Sequence, residues 1–199
     1  GKTTTLYALL SEIAKHTPGR SIQTLEDPVE AHIPGVMQTQ INERAGLDYH
    51  AGLRSLLRSD PDVILIGEIR DEHSARMAIR AAQTGHLVFA TLHTNSSAEV
   101  VSRLRDMGVS DALLSSSLIA ASAQRIIRRV CTHCAGEVIF EEVDSGRWFR
   151  TLGHLKGAPG ASDPIRQANP TGCNRCNEGY TGRVGVSELI LIDPYTSDM

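Results

Sequence analysis

Two short aliphatic runs set the frame of this chain. Val63-Ile64-Leu65-Ile66 lies between Pro61 and Gly67, and Leu87 to Leu92 forms a second run after Gly85. Continuous apolar runs of this length, closed by turn residues, predict strands buried on both faces, as in a parallel sheet. Ser21 to Leu25 predicts a third strand that ends in the acidic pair Glu26-Asp27, after which Pro28, Pro34 and Gly35 mark turns.

Between the strands the period becomes helical. Asp71 to Thr84 is alanine-rich and stops at Gly85, a C-terminal signal. Ser96 and Glu99 have capping-box spacing, and Val100, Val101, Leu104 and Met107 then form one apolar stripe that ends at Gly108. Alternating strand and helix predicts an α/β fold, a parallel sheet with helices on both faces. After about residue 129 the texture changes, and residues 136–172 are rich in glycine, proline and isolated polar groups, with Trp148 as the one large anchor. The expected domains are therefore an α/β core over 1–128 and a small second element over 129–199.

Composition narrows the functional classes. The 199 residues are 41% hydrophobic and 22% charged, enough for a real core, but aromatics are only 4%, so aliphatic residues and alanine must fill it. The net charge of -3 gives no basic field, and the arginines at 125, 128 and 129, expected at one helix end, make only a small patch; no nucleic-acid partner is expected. No stretch approaches the ~18 apolar residues of a membrane span. The chain opens inside what looks like a motif and closes without a terminal element, so it is read as a piece of a longer protein.

That opening is Gly1-Lys2-Thr3, followed by Thr4-Thr5-Leu6-Tyr7. It looks like the tail of a phosphate-binding loop entering its helix, where lysine reaches the β- and γ-phosphates and the hydroxyl binds Mg²⁺. Three residues of a longer motif are weak by themselves, and a solvated turn would look the same. Support comes from Gly67-Glu68, where a buried strand delivers a carboxylate at its C-terminal end, the end at which open α/β sheets bind ligands. A carboxylate there can orient the water that attacks a γ-phosphate; the plainer alternative is that Glu68 caps the next helix or pairs with Arg70. Glu26, Asp27 and Glu30 follow a second strand, and Thr91-Leu92-His93-Thr94-Asn95 follows a third. A turn and a structural histidine would explain the last two separately, but three polar clusters at three strand ends point to one site.

The four cysteines form two knuckles, Cys131-Thr-His-Cys134 and Cys173-Asn-Arg-Cys176, separated by 38 residues. Two such pairs can make a tetrahedral Cys₄ site with no open coordination position, which favours a structural Zn²⁺ over a disulfide framework. Free or redox-active thiols are the alternative.

Taken together, Thr24-Leu25-Glu26-Asp27-Pro28-Val29-Glu30 resembles the acidic box of the secretion ATPase superfamily, residues 53–71 resemble its atypical Walker B region, and Thr91 to Asn95 its histidine box. The paired cysteines followed by Gly179-Tyr-Thr-Gly-Arg-Val-Gly-Val-Ser-Glu188 resemble the tetracysteine assembly members rather than the retraction members, which lack the cysteines. The resemblance covers nearly the whole chain and is to type II secretion and type IV pilus assembly ATPases. It implies a RecA-like P-loop core with a small zinc-binding element. It also implies a cytoplasmic homo-hexamer, held at the inner membrane through a polytopic platform protein and other machine components, that hydrolyses ATP to add pilins or pseudopilins to a filament. By position, Gly1, Lys2, Thr3 and Thr4 would bind nucleotide and Mg²⁺. Glu68 would be the catalytic glutamate, Glu26 and Glu30 would position Mg²⁺ or water, and His93 would contact the γ-phosphate side. The phosphoryl charge calls for cations, and Arg44, Arg54 and Arg58 lie where the family keeps them; Arg54 and Arg58 are expected on one helix face. Exposed ion-pair partners are the alternative for each. With most of the phosphate loop absent, this exact chain is expected to bind ATP poorly and to be inactive. The competing reading is a zinc-bearing binding or scaffold module without turnover.

Overall fold

A computed structural model describes residues 1–139 and 164–192. The chain divides into two compact units, one formed by residues 1–125 with the segment from Ser187, the other by Ile126–Val186. Trp148, the expected anchor of the second element, lies outside the described residues.

The first unit is built on four parallel strands, β1 (Ile22–Glu26), β2 (Met37–Gln40), β3 (Val63–Ile66) and β4 (Leu87–Ala90), in the order β2-β1-β3-β4. Pairing aligns their C-terminal ends: Leu25 lies opposite Ile66, and Ile66 opposite Ala90. Whatever follows each strand therefore emerges at one edge of the sheet.

The side-chain alternation of strands sorts the core onto two faces. Ile22, Val63 and Leu65 pack with Leu10 of α1 (Lys2–His16) on one face. On the other, Leu25, Ile64 and Ile66 pack with helices α2 (Tyr49–Leu56), α3 (Glu72–Gln83), α4 (Glu99–Asp106) and α5 (Asp111–Ser117). Each such fully buried aliphatic side chain contributes about 1.5–3 kcal/mol. The expected α/β fold with helices on both faces is what is observed. Helix α2 can approach β1 this closely because it carries Gly52: a Cβ there would sit 2.6 Å from the Leu25 Cδ1.

Local details depart from the sequence pattern for identifiable reasons. Strand β4 is only half-buried along its length, because it lies at the edge of the sheet. Strand β1 extends one residue further than expected, and Glu26 pairs with Gln40. Helix α4 begins at Glu99 rather than near Ser96; Ser96 Oγ still accepts the Glu99 N–H at 3.3 Å, but the Glu99 carboxylate reaches back to the Asn95 N–H at 2.8 Å. Helix α3 follows the expectation, with Asp71 accepting the Ser74 N–H at 2.8 Å and Gly85 at φ +96° past its end. Helix α2 stops at Leu56, and the chain turns through Asp60 and Pro61 into β3, so Arg58 does not share a helix face with Arg54.

Strand β5 (Ala120–Val130) runs from the first unit into the second and carries Arg125, Arg128 and Arg129, which are therefore on a strand and not at a helix end. The β-branched content of Ile126, Ile127 and Val130 favours this extended form. In the second unit β6 (Gly136–Ile139) pairs antiparallel with β7 (Pro164–Gln167), so strands form where the sequence shows no sustained period. Strand β8 (Tyr180–Leu191) pairs with β5 and leads back to the first unit.

Candidate functional site

Beyond the aligned strand ends of the first unit lies a cleft of about 110 Å³. Its walls are Thr3 and Leu6 of α1, the 26–30 turn after β1, Tyr49 at the start of α2, Leu65 to Glu68 at the end of β3, and Thr91 and His93 after β4. Three acidic or basic clusters that are far apart in sequence are thus brought to one place, as the strand ends predict.

Glu68 is held from two sides. Its Oε1 lies 2.7 Å from His93 Nε2, and its Oε2 accepts the Arg70 Nε–H at 2.6 Å. Arg70 also lies 3.7 Å from the Asp27 carboxylate and stacks over the Tyr49 ring with Cζ 5.3 Å from its centroid. The hydrogen bond to Glu68 raises the Arg70 pKa further above its ordinary value, and burial raises that of Tyr49. The backbone beneath Glu68 is fixed: Gly67 N–H donates to Leu25 O at 2.8 Å, Ile69 N–H donates to Thr91 O at 2.9 Å, and the Thr91 hydroxyl donates to Gly67 O at 2.6 Å.

Glu26 is nearly inaccessible, 3% exposed, so its oxygens need hydrogen-bond partners within the protein. Tyr7 donates its phenolic hydroxyl to Oε2, since the Tyr7 oxygen already accepts the Glu30 N–H at 3.1 Å. The Thr24 hydroxyl lies 2.5 Å from Oε1, and Gln38 donates to the same oxygen at 3.3 Å. The Gln38 amide is oriented because its oxygen accepts the Ile33 N–H at 2.7 Å. Burial raises the Tyr7 pKa, with the Glu26 hydrogen bond adding to the effect, so Tyr7 stays a donor at neutral pH.

The other residues expected from the sequence fall in different places. Glu30 lines the cleft by its exposed side chain and meets Tyr7 through its backbone. Lys2 is exposed and donates to Leu92 O at 3.1 Å, next to His93. Gly1 caps α1 and Thr4 faces solvent; neither lines the cleft. Arg44 lies in a 3₁₀ turn, Arg54 donates to His50 O at 3.3 Å on α2, and Arg58 lies in the turn beyond; all three are exposed and none lines the cleft. Sequence reasoning missed Tyr7, Gln38 and Tyr49, and gave Arg70 only as a plain partner of Glu68. Tyr7 had a usable signal, since it lies four residues after Thr3 on the same helix face. Gln38 and Tyr49 had none.

In the second unit the sulfur atoms of Cys131, Cys134, Cys173 and Cys176 all lie within 4.8 Å of one another. Cys131 and Cys173 are 4.0 Å apart, while Cys134 and Cys176, and Cys173 and Cys176, are 3.6 Å apart. A tetrahedral ion with Zn–S bonds of about 2.3 Å spaces its sulfurs roughly 3.8 Å apart, so these residues fit zinc; a disulfide needs about 2.05 Å. The backbone N–H of His133 lowers the Cys131 thiol to about 6, whereas burial and the neighbouring sulfurs push Cys134 up to about 12, an arrangement that a bound cation would relieve. Gly172, at φ +66°, lets the second knuckle close, since a Cβ there would meet the Glu178 N at 3.1 Å and the Cys176 sulfur at 3.4 Å. The His133 ring turns to Arg175, 3.2 Å away, and not to the sulfurs.

Known proteins resemble this chain along its length. Residues 1–199 match the family model described as Type II/IV secretion system protein. The chain is 45% identical over 194 residues to the type II secretion system ATPase E of Vibrio cholerae serotype O1, covering 97% of this chain and 36% of that protein. It is equally 45% identical over 194 residues to the type IV pilus assembly ATPase PilB of Thermus thermophilus, covering 97% of this chain and 21% of that one. Among solved structures, the pilus retraction motor PilT with bound ADP superposes with a TM-score of 0.58 at 35% identity, over 66% of this chain and 41% of that one. The chain thus spans about a third or less of the length of these curated relatives.

Proposed function

The chain belongs to the Type II/IV secretion system protein family, and from that membership we propose that it is the catalytic part of an ATP-hydrolysing motor for type II secretion or type IV pilus assembly. The observation that carries this reading is the meeting of Glu68 and His93, 2.7 Å apart, in a cleft floored by parallel strand ends and bordered by the first turn of α1. Helix N-termini favour phosphate, and strand ends are where such sheets bind ligands.

In this reading Gly1, Lys2, Thr3 and Thr4 close a phosphate loop completed by residues preceding Gly1 in the full protein, with the Thr3 hydroxyl on Mg²⁺. Glu68 orients the attacking water, and His93 stands on the γ-phosphate side. Glu26 keeps one lone pair beyond its three donors; with Glu30 it orients Mg²⁺ or its waters. Arg44, Arg54 and Arg58, solvent-facing in the single chain, supply cations to a neighbouring subunit of a homo-hexamer. Cys131, Cys134, Cys173 and Cys176 hold a structural Zn²⁺, and a tetracysteine set favours an assembly motor over a retraction motor. No described helix is long and apolar enough to cross a membrane, and the motor is placed in the cytoplasm, against the inner membrane through its platform partner. The domain boundary proposed for this machine lies near residue 128.

The test is ATP hydrolysis by the full-length protein and its Glu68→Gln variant. Turnover that disappears in the variant while ATP binding persists supports the motor. Equal turnover in both, or none in either, overturns it in favour of a zinc-bearing scaffold.

A further inference from the structure

We propose that Arg70 is a positioning residue of this cleft, whose guanidinium fixes the direction of Glu68 and ties it to Asp27. This rests on the assignment of Glu68 as the residue that orients water. Carboxylates on long side chains are free to choose rotamers, and a misdirected base loses much of its rate. Glu68 is restrained: its side chain is 18% exposed, and Arg70 Nε lies 2.6 Å from Oε2 while His93 occupies Oε1.

Arg70, whose side chain is 54% exposed, is itself held by contacts beyond Glu68. Its terminal nitrogen lies 3.7 Å from Asp27, and its guanidinium lies over Tyr49, whose hydroxyl approaches Gly67. Its backbone is set between Ile69, bonded to Thr91, and Asp71, which caps α3 through Ser74. The planar fork, always charged, can serve two carboxylates and an aromatic face together; a lysine ammonium cannot. Among the described residues, Arg70 is the arginine that touches the carboxylates of the cleft, whereas Arg44, Arg54 and Arg58 do not. The plainer reading is a surface ion pair, which contributes little to stability and nothing to turnover.

The experiment uses the full-length protein with Arg70→Gln, Arg70→Lys and Glu68→Gln, reading kcat, KM for ATP, equilibrium binding of Mg²⁺-ATP and Tm. Arg70→Gln is expected to lower kcat about tenfold or more, a barrier change of about 1.4 kcal/mol per decade, with ATP affinity and Tm near those of the parent. Arg70→Lys is expected to recover part of kcat, because charge remains while the fork is lost. A parental kcat in Arg70→Gln overturns the proposal. So does a loss confined to ATP affinity, or a fall in Tm that Lys does not mend, since these mark a ligand contact or a structural role. A parent without turnover, or an active Glu68→Gln, sinks the motor assignment and this proposal with it. An inactive Glu68→Gln beside a fully active Arg70→Gln sinks this proposal alone.

Discussion

His93 reaches Glu68 across the ends of two neighbouring strands, its Nε2 lying 2.7 Å from Oε1. The register of β3 on β4 sets this distance, because Ile66 lies opposite Ala90 and the two loops leave the sheet side by side. Glu68 is mostly enclosed and His93 is 79% exposed, so the imidazole is the partner that an incoming anion meets first. Replacing His93 with Ala is expected to reduce turnover of the full-length protein roughly 10²-fold, the usual effect of removing one aimed donor. Gln, which keeps a donor, is expected to lose less. Steady-state hydrolysis by the two variants decides it, and equal rates for Ala and parent would place His93 outside the chemistry.

Tyr7 joins α1 to the end of β1 through Glu26, and at the same time accepts the Glu30 N–H. Tyr7→Phe leaves a carboxylate that is 3% exposed short of one donor. The expected cost is about 1–3 kcal/mol of stability, visible as a lowered denaturant midpoint with an unchanged slope. A neutral result would mean that water or Thr24 replaces the phenol without loss.

Much of this site is legible in the sequence, for a physical reason. Buried parallel strands must be continuous apolar runs, so Val63 to Ile66 and Leu87 to Ala90 announce themselves, and polar residues directly after them are placed at the ligand-binding edge by topology. Asp71, Gly85 and Gly108 mark helix ends through capping and positive φ, which are local effects. What stays hidden is contact between elements. Gln38 reaches Glu26 only because β2 pairs beside β1, and Tyr49 covers Gly67 only because α2 lies against β1. Helix α2 ends at Leu56 although Leu57 and Arg58 have helical propensity, because the turn into Pro61 overrides it. The strand character of Arg125 to Val130 is hidden for the opposite reason: half-exposed β-branched residues carry little periodic signal.

The described residues of the second unit form almost no apolar core. Among its described residues, the buried hydrophobic side chain is Cys131. Small elements with little core are commonly held together by a metal. Intact full-length protein is expected to contain about one zinc per chain, and Cys176→Ser to lose it. Chelation is expected to raise hydrogen exchange over 131–139 and 164–180 while leaving β1 and β3 protected. Unchanged exchange in the cysteine segments would show that the fold there does not depend on metal.

Helix α3 provides a pH test. Asp71 accepts the Ser74 N–H at 2.8 Å, and this hydrogen bond lowers its pKa below the ordinary value of 3.8. A carboxylate whose folded pKa is depressed stabilises the fold above its unfolded pKa, and the contribution fades as pH falls through the folded value. Asp71→Ala is therefore expected to cost about 0.5–2 kcal/mol near neutrality. The gap between parent and variant should narrow below pH 3.8. Denaturant titrations at several pH values measure the gap, and a constant difference would assign the effect to packing instead of charge.

Gly67 separates the buried strand β3 from Glu68, the residue proposed to orient water. A Cβ at this position would lie 3.1 Å from Leu25 O, 3.2 Å from Glu26 Cα and 3.3 Å from the Tyr49 hydroxyl. Two of these neighbours are backbone of the central strand β1 and cannot move aside cheaply, while Tyr49 carries the ring on which Arg70 rests. Gly67→Ala must shift the strand end by a few tenths of an ångström, and Glu68 shifts with it. Stability should change modestly, within the ~1–3 kcal/mol of a slightly overpacked site. Turnover should fall much further, because a base displaced from its water loses orientation before it loses its fold. Measuring kcat and the unfolding midpoint on the same full-length Gly67→Ala preparation separates the two effects. Loss of kcat in proportion to loss of stability would mean that the glycine serves only packing; a large kcat loss in a well-folded protein would mean that it exists to let Glu68 pass close to β1.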